Sequence, residues 1–298
     1  MTFVQPKDEM LHLTLMDGQA RVLLCRTTRL SQKMASIHIP SDTACAALSR
    51  LMSGTLMLSV MMKGEEDSVT VTVAGDGPIG KMTAVGRGGN VKVTADYPQQ
   101  EVPRRADGHL DVGTLVGRRG RMTVIKDIGL KEPYIGQVHL VSGELGEDFA
   151  QYYTASEQTP SVVALGARVA DGMPLSTGGI LVQAMPGCTE ETLSQLELRS
   201  MLFADISREL AENDLMDLAN AWFDGLGLRL EGRQELHYRC DCSRERMEKA
   251  LVALGREELT DILRTDGCAT LTCHFCRTAR VFDENDLRRL LEEGGSDA

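Results

Sequence analysis

Two cysteine pairs near the C-terminus constrain this chain more than any other feature: Cys240 and Cys242 in CDCSRER, and Cys273 and Cys276 in CHFC. Four sulfurs offered by two short chelating turns match tetrahedral zinc, whose structural sites are closed by four Cys or Cys/His ligands. The segment that carries them, residues 232–298, is too short to bury much surface, and units of that size often depend on a metal or on disulfides. A thioredoxin-like pair would need its C-x-x-C to open a helix beside a βαβ unit, which the flanking sequence does not offer. The spacing predicts one Zn2+ per reduced chain on Cys240, Cys242, Cys273 and Cys276. Cys268 is read as a bystander, and with four thiolates at hand neither His237 nor His274 is needed.

Such a site has two physical readings. In one it is a staple, or the scaffold of a zinc ribbon that binds nucleic acid. In the other it is a removable restraint, because the thiolates that bind zinc are also the groups that oxidants attack. Structural zinc contributes an apparent ~10–16 kcal/mol to folding, whereas a whole domain is stable by only about 5–15 kcal/mol. A small unit that loses its zinc is therefore expected to unfold and to uncover whatever rests against it.

The chain is 298 residues long, enough for two or three folding units. Residues 1–188 mix helix and strand signals, giving the fold class α+β. Ser41 is placed to cap a long helix carrying Leu48, Leu51, Met52, Leu56 and Met62. Val69, Val71 and Val73 then alternate with threonines, and VKVT, MTVIKD and GQVHLV read as further strands. A helix in GEDFAQYYTASEQ and a last strand in TGGILVQAMPG complete this core domain. Residues 189–231 form a linker whose pattern is helical throughout from Glu190 to Gly225. One of its apolar faces holds Leu215, Leu218, Trp222 and Phe223, and it must rest on a neighbour. Within 232–298, helices are expected around Met247–Leu254 and Leu259–Leu263, then a hairpin with CHFC at its tip and a final helix opened by Asp283.

A net charge of −11 repels nucleic-acid phosphate, and the run Arg118–Arg121 is too short to reverse it. The N-terminal segment carries acids where a signal peptide needs an apolar stretch, and LMSGTLMLSVMM falls short of the roughly 20 residues that span a bilayer. A cytoplasmic protein without membrane or nucleic-acid partners is expected. GDGPIG matches the dinucleotide fingerprint G-x-G-x-x-G but is followed by hairpin-like sequence and reads as a tight turn. Ser156 has no G-x-S-x-G context, so nothing points to an enzyme.

Taken together, CDCSRER with CHFC, GDGPIG, YYTASEQTPS and GGILVQAMPG make the chain resemble the redox-regulated heat-shock chaperones of thirty-three kilodaltons, which are ATP-independent holdases. The resemblance covers nearly the whole chain. It implies an α+β core, a helical linker wrapped against it and a zinc-binding switch that is inactive when reduced. It further implies that oxidation links Cys240 with Cys242 and Cys273 with Cys276, releases zinc, unfolds switch and linker, and yields an active form, often a homodimer, that holds unfolding client proteins. Leu215, Leu218, Trp222 and Phe223 are then the candidate client-binding residues. Cys268 is not part of the family pattern.

Overall fold

Alternating residues and short turns dominate the first two-thirds of the chain, and the computed structural model, which describes residues 7–293, resolves them into two sheets, antiparallel but for one short edge pairing, around a buried helix. A hairpin of β1 (Glu9–Leu15) and β2 (Ala20–Arg26) leads into α1 (Thr28–His38) and α2 (Asp42–Ser59). A meander of β3 (Ser68–Gly75), β4 (Lys81–Arg87) and β5 (Asn90–Ala95) follows, then α3 (Val112–Val116), β6 (Gly120–Asp127) and β7 (Tyr134–His139). Next come α4 (Gly146–Ala155) and a long hairpin of β8 (Ser161–Ala170) and β9 (Met173–Ala184). The linker contributes α5 (Glu190–Ser200), α6 (Ile206–Glu212) and α7 (Leu215–Trp222), and β10 (Arg229–Glu235) and β11 (His237–Tyr238) return to the sheets. The chain divides into two compact units between Arg239 and Cys240, so residues 232–239 fold with the first unit and not with the cysteines.

One sheet has the order β10-β1-β2-β9-β8, the other β11-β5-β4-β3-β6-β7. Between them lies α2, whose start is fixed by Ser41 Oγ accepting the Ala44 N–H at 3.1 Å. The expected apolar stripe is in fact a helix buried nearly all round, because both sheets pack on it. Small residues make this possible: a Cβ on Gly54 would fall 2.3 Å from the Phe149 ring. The helix ends at Ser59, and Met62 lies beyond it, half-buried. GDGPIG is a turn from β3 into β4 with no helix after it; a Cβ at Gly75 would strike Val116 O at 2.1 Å, so packing against α3 accounts for the glycine.

The first sheet is buried on both faces. Met10, Leu23 and Cys25 face the α2 core, whereas Leu11, Leu13, Leu15, Val22, Leu24, Ile180 and Val182 face a second apolar layer made with the linker. The expected continuous helix from Glu190 to Gly225 is three helices, broken near Asp205 and at Asn213–Asp214. The breaks let the linker bend over the sheet, and Asp214 Oδ1 restarts it by accepting the Met216 N–H at 2.8 Å. Leu215, Leu218, Trp222 and Phe223 are all buried in this layer, with the Phe203 ring 5.1 Å from Trp222 in an edge contact. Arg26 of β2 donates to Leu210 O and Asn213 O, placing a cation on the carbonyl end of α6. Glycines let α6 approach: a Cβ on Gly166 would meet Ile206 Cγ2 at 2.6 Å and the Ser207 backbone N at 2.7 Å.

Asp8, just before β1, ties that strand to α1 by accepting the Leu30 N–H at 2.7 Å. Burial pushes its carboxyl up to about 6, against the pull of the Leu30 and Arg29 backbone hydrogen bonds and of the Arg29 and Arg26 charges. Because the folded value lies above the unfolded one, this group favours folding at low pH, and its contribution is lost as pH rises through about 6. The stability of the wild type relative to Asp8→Asn should therefore fall by about 2 kcal/mol from pH 4 to pH 7. Denaturant titration of the first unit at constant ionic strength measures it, and a difference that does not change with pH would refute the assignment.

Candidate metal centre

The second unit is built from α8 (Arg244–Val252), α9 (Arg256–Thr265), a hairpin of β12 (Ala269–Thr272) and β13 (Ala279–Phe282), and α10 (Glu284–Glu293). Cys240 and Cys242 lie on the extended entry to α8, whose first turn is fixed by Ser243 Oγ accepting the Arg246 N–H at 3.2 Å. Cys273 and Cys276 occupy the turn between β12 and β13. There the Cys273 N–H donates to Thr278 O (3.0 Å) and the Arg277 N–H to Cys273 O (2.9 Å), with Arg277 in the left-handed region at φ 57°. Helix capping and a tight hairpin turn thus aim both pairs at one point.

All four Sγ atoms lie within 4.8 Å of one another, with 3.7 Å from Cys240 to Cys273 and 3.3 Å from Cys242 to Cys276. Zn–S bonds of about 2.3 Å place tetrahedral sulfurs roughly 3.8 Å apart, so the donor set and its dimensions suit such an ion. Among the described residues these four form the only group of three or more His, Cys, Asp or Glu side chains close enough to share a metal; Cys268 is exposed and, like His237 and His274, stands outside it.

The sulfurs differ in their environments. Burial raises the Cys240 and Cys242 thiols, and neighbouring sulfurs add to the effect. For Cys276 burial also opposes ionisation, but hydrogen bonds from the Thr278 hydroxyl and N–H and from the Cys242 and Cys273 thiols outweigh it and bring the group down to about 6. Its neighbours therefore favour the Cys276 thiolate, the form in which a cysteine binds a metal. Cys25 and Cys45 contrast with it. Both are buried in the first unit, their thiols pushed up to about 12 by burial, and they serve as small core side chains.

The core of this unit is small: Met247, Leu251, Leu259, Phe282, Leu287 and Leu290, with Cys242 and Cys273 packed against it. Two of the sulfurs are thus part of the only apolar cluster the unit has among the described residues. An ion-pair network, not anticipated from the sequence, braces it. Arg244 pairs with Asp286 and Glu248, Arg289 reaches Glu248 at 2.6 Å, and the Arg244 guanidinium lies 4.5 Å above the Phe282 ring. Only the i,i+4 spacing of Arg244 and Glu248 was a readable signal; the partners on α10 come from the tertiary fold.

This is a two-unit α+β protein with a helical cover on its larger unit and a four-cysteine centre in its smaller one. Residues 8–283 match the model of the Hsp33 protein family. The chain is 39% identical over 288 residues to a "33 kDa chaperonin" of Thermoanaerobacter sp. (strain X514), covering 96% of this chain and 98% of that one. It is 38% identical to the "33 kDa chaperonin" of Clostridioides difficile (strain 630), covering 96% and 99%. The crystal structure of the 33 kDa chaperonin (heat shock protein 33 homolog) from Thermotoga maritima superposes with a TM-score of 0.89 at 29% identity, over 98% of this chain and all of that one. The chain belongs to the Hsp33 family of chaperones. None of its helices, among the described residues, is long and apolar enough to cross a membrane.

Arg244→Met keeps the aliphatic stem but removes the charge shared by Asp286 and Glu248. It should leave the cysteine spacing intact while making the second unit cleavable at lower protease concentrations than in the wild type. Equal protease resistance of both proteins would show that the network does not brace the unit.

Proposed function

We propose that this chain is an ATP-independent holdase, switched on by oxidation of Cys240, Cys242, Cys273 and Cys276 and inactive while those four sulfurs hold Zn2+. The observation that carries the reading is their convergence within 4.8 Å in a unit with so small a core. Zinc, when bound, supplies a cross-link among four thiolates and with it the greater part of the unit's folding free energy.

Each cysteine pair can give two electrons to a peroxide. One thiolate attacks the O–O bond and becomes a sulfenic acid as hydroxide departs; the second thiolate then displaces hydroxide from that sulfur, forming the S–S bond. Sulfur approaches of 3.7 and 3.3 Å run between the pairs, and all four lie within 4.8 Å, so distance alone does not choose the partners. Loop closure favours Cys240 with Cys242 and Cys273 with Cys276, since short loops stay closed at least entropic cost once the unit loosens, and this is also the pairing the family resemblance implies. Joined sulfurs no longer offer thiolates to a metal. A unit with six buried apolar side chains and no cross-link between its halves is then expected to unfold.

The linker is the next element to respond. Leu215, Leu218, Trp222 and Phe223 each draw about 1.5–3 kcal/mol from burial and need an apolar partner in either state. In the folded chain that partner is the outer face of the first sheet; after release it is a client or a second subunit, which accounts for both client holding and homodimer formation. Net charge disfavours the alternative of a nucleic-acid-binding ribbon.

Zinc content and suppression of aggregation, measured on one sample before and after peroxide with mild heating, test this function. One zinc and no suppression should become no zinc and strong suppression; suppression that is equal in the two states, with zinc retained, would rule out the switch. Cys268→Ser should retain zinc and Cys273→Ser should lose most of it, and the reverse order would overturn the ligand assignment.

Gly166→Ala tests the linker without altering any linker side chain. Its Cβ collides with α6, an overpacking worth about 1–3 kcal/mol. Trp222 emission should shift to longer wavelength, and partial holdase activity should appear in the reduced, zinc-bound protein. Unchanged emission together with unchanged activity would show that release of the linker is not the activating step.

A further inference from the structure

One segment, Arg229–Tyr238, closes both sheets of the first unit. β10 is the outer strand beside β1, and β11 pairs in parallel with β5 at the edge of the other sheet. Between them Leu236 is buried and its N–H donates to Asp8 O at 3.1 Å, while Tyr238 packs against the core with its hydroxyl 3.2 Å from Val93 O. The Arg239 N–H donates to Val91 O at 3.0 Å, and the next residue is Cys240. The strap therefore ends where the cysteine unit begins.

β10 holds β1 mainly through main chain, with two side-chain hydrogen bonds across the pair, between His12 and Gln234 at 3.3 Å and from the Thr14 hydroxyl to Glu231 at 2.7 Å. Its residues, RLEGRQE, are mostly exposed, and its register with β1 slips between His12 and Leu13. Its ion pairs, Arg229–Asp17, Arg233–Glu9 and Lys7–Glu235, face solvent and contribute little. This charge-rich strand protects a sheet edge in the manner of natural edge strands, whereas β1 beneath it is apolar. Leu11, Leu13 and Leu15 of β1 border the layer covered by the linker helices. Removing strap and linker together uncovers an unpaired strand edge beside an apolar face.

We propose that the β1 edge is a client-docking surface that takes an extended segment of an unfolding polypeptide as an added strand in place of β10. The proposal rests on the redox reading above only for how the strap is released in the wild type. Main-chain pairing accepts any extended sequence, and the bordering apolar face favours apolar side chains at alternate positions. Unfolding chains present both features. Folded proteins keep most of their backbone groups paired and shield the edge strands they expose.

The test uses the full chain carrying Leu236→Ser and Tyr238→Ser, kept reduced and zinc-bound, with amide hydrogen exchange as the readout. The probe is a short peptide of alternating valine and threonine flanked by lysines, and its control is the same peptide N-methylated at alternate residues. Amides of 229–238 and Glu9–Leu15 should exchange about tenfold or more faster than in the wild type, as loss of buried anchors implies. The peptide should restore protection at Glu9–Leu15 and not at 229–238, and N-methylation should abolish that protection. Oxidised wild type should give the same pattern, and it carries the test alone if the double variant loses protection across β3–β6. A strap that stays protected in both proteins overturns the proposal, as does peptide binding that leaves Glu9–Leu15 unprotected or survives N-methylation. If the variant behaves as expected while residues 240–283 of oxidised wild type stay protected, the redox reading fails and the docking surface stands.

Discussion

The apolar layer between the first sheet and the linker is the interaction on which the rest of this protein depends. A sheet with Leu11, Leu13, Leu15, Val22 and Leu24 on its outer face cannot leave that face in water without exposing a patch of the kind that drives association. The linker covers it with Leu210, Leu215, Leu218, Trp222 and Phe223, which have the same need. Each surface is the other's partner, so neither can be lost without both becoming adhesive. The proposed switch between an inert and an adhesive form needs such a pair of surfaces.

The element proposed to govern the pair lies elsewhere in the chain. The cysteine unit has a small core, and two of its four cluster sulfurs, those of Cys242 and Cys273, pack against it. The electrostatics of the cluster are local: Thr278 and neighbouring thiols favour one thiolate, while the buried Cys25 and Cys45 are held in the thiol form. The strap at 229–238 ends at the boundary of that unit, through Arg239, and covers two strand edges by hydrogen bonds that do not depend on side-chain identity.

The first unit, by contrast, is over-determined. α2 is enclosed by both sheets, glycines at 54, 75 and 166 permit close approach of helix and strand, and Arg26 caps α6 from within the sheet. Family membership across residues 8–283 and the superposition on the Thermotoga maritima structure extend over this whole architecture.

Sequence alone determined what local chemistry dictates. Period-two alternation at Val69–Val73 gave a strand, Ser41 gave a capped helix, and the spacing of Cys240, Cys242, Cys273 and Cys276 gave a four-sulfur site, because chelation by short turns is itself a local property. The failures were non-local. Helical periodicity ran through Asp205 and Asn213–Asp214, where the segment that docks on the sheet is broken into three helices, and the apolar stripe of α2 gave no sign that both sheets would enclose it. RLEGRQE carries too many charges to read as part of a core domain, yet main-chain pairing with β1 places it there. Likewise Arg244 acquires Asp286 and Phe282 as neighbours only when α10 folds back. Periodicity, capping and chelation act over a few residues and are written in the sequence; which apolar face meets which, and which strand edge is covered, depend on contacts between residues far apart in the chain, and only the tertiary structure decides them.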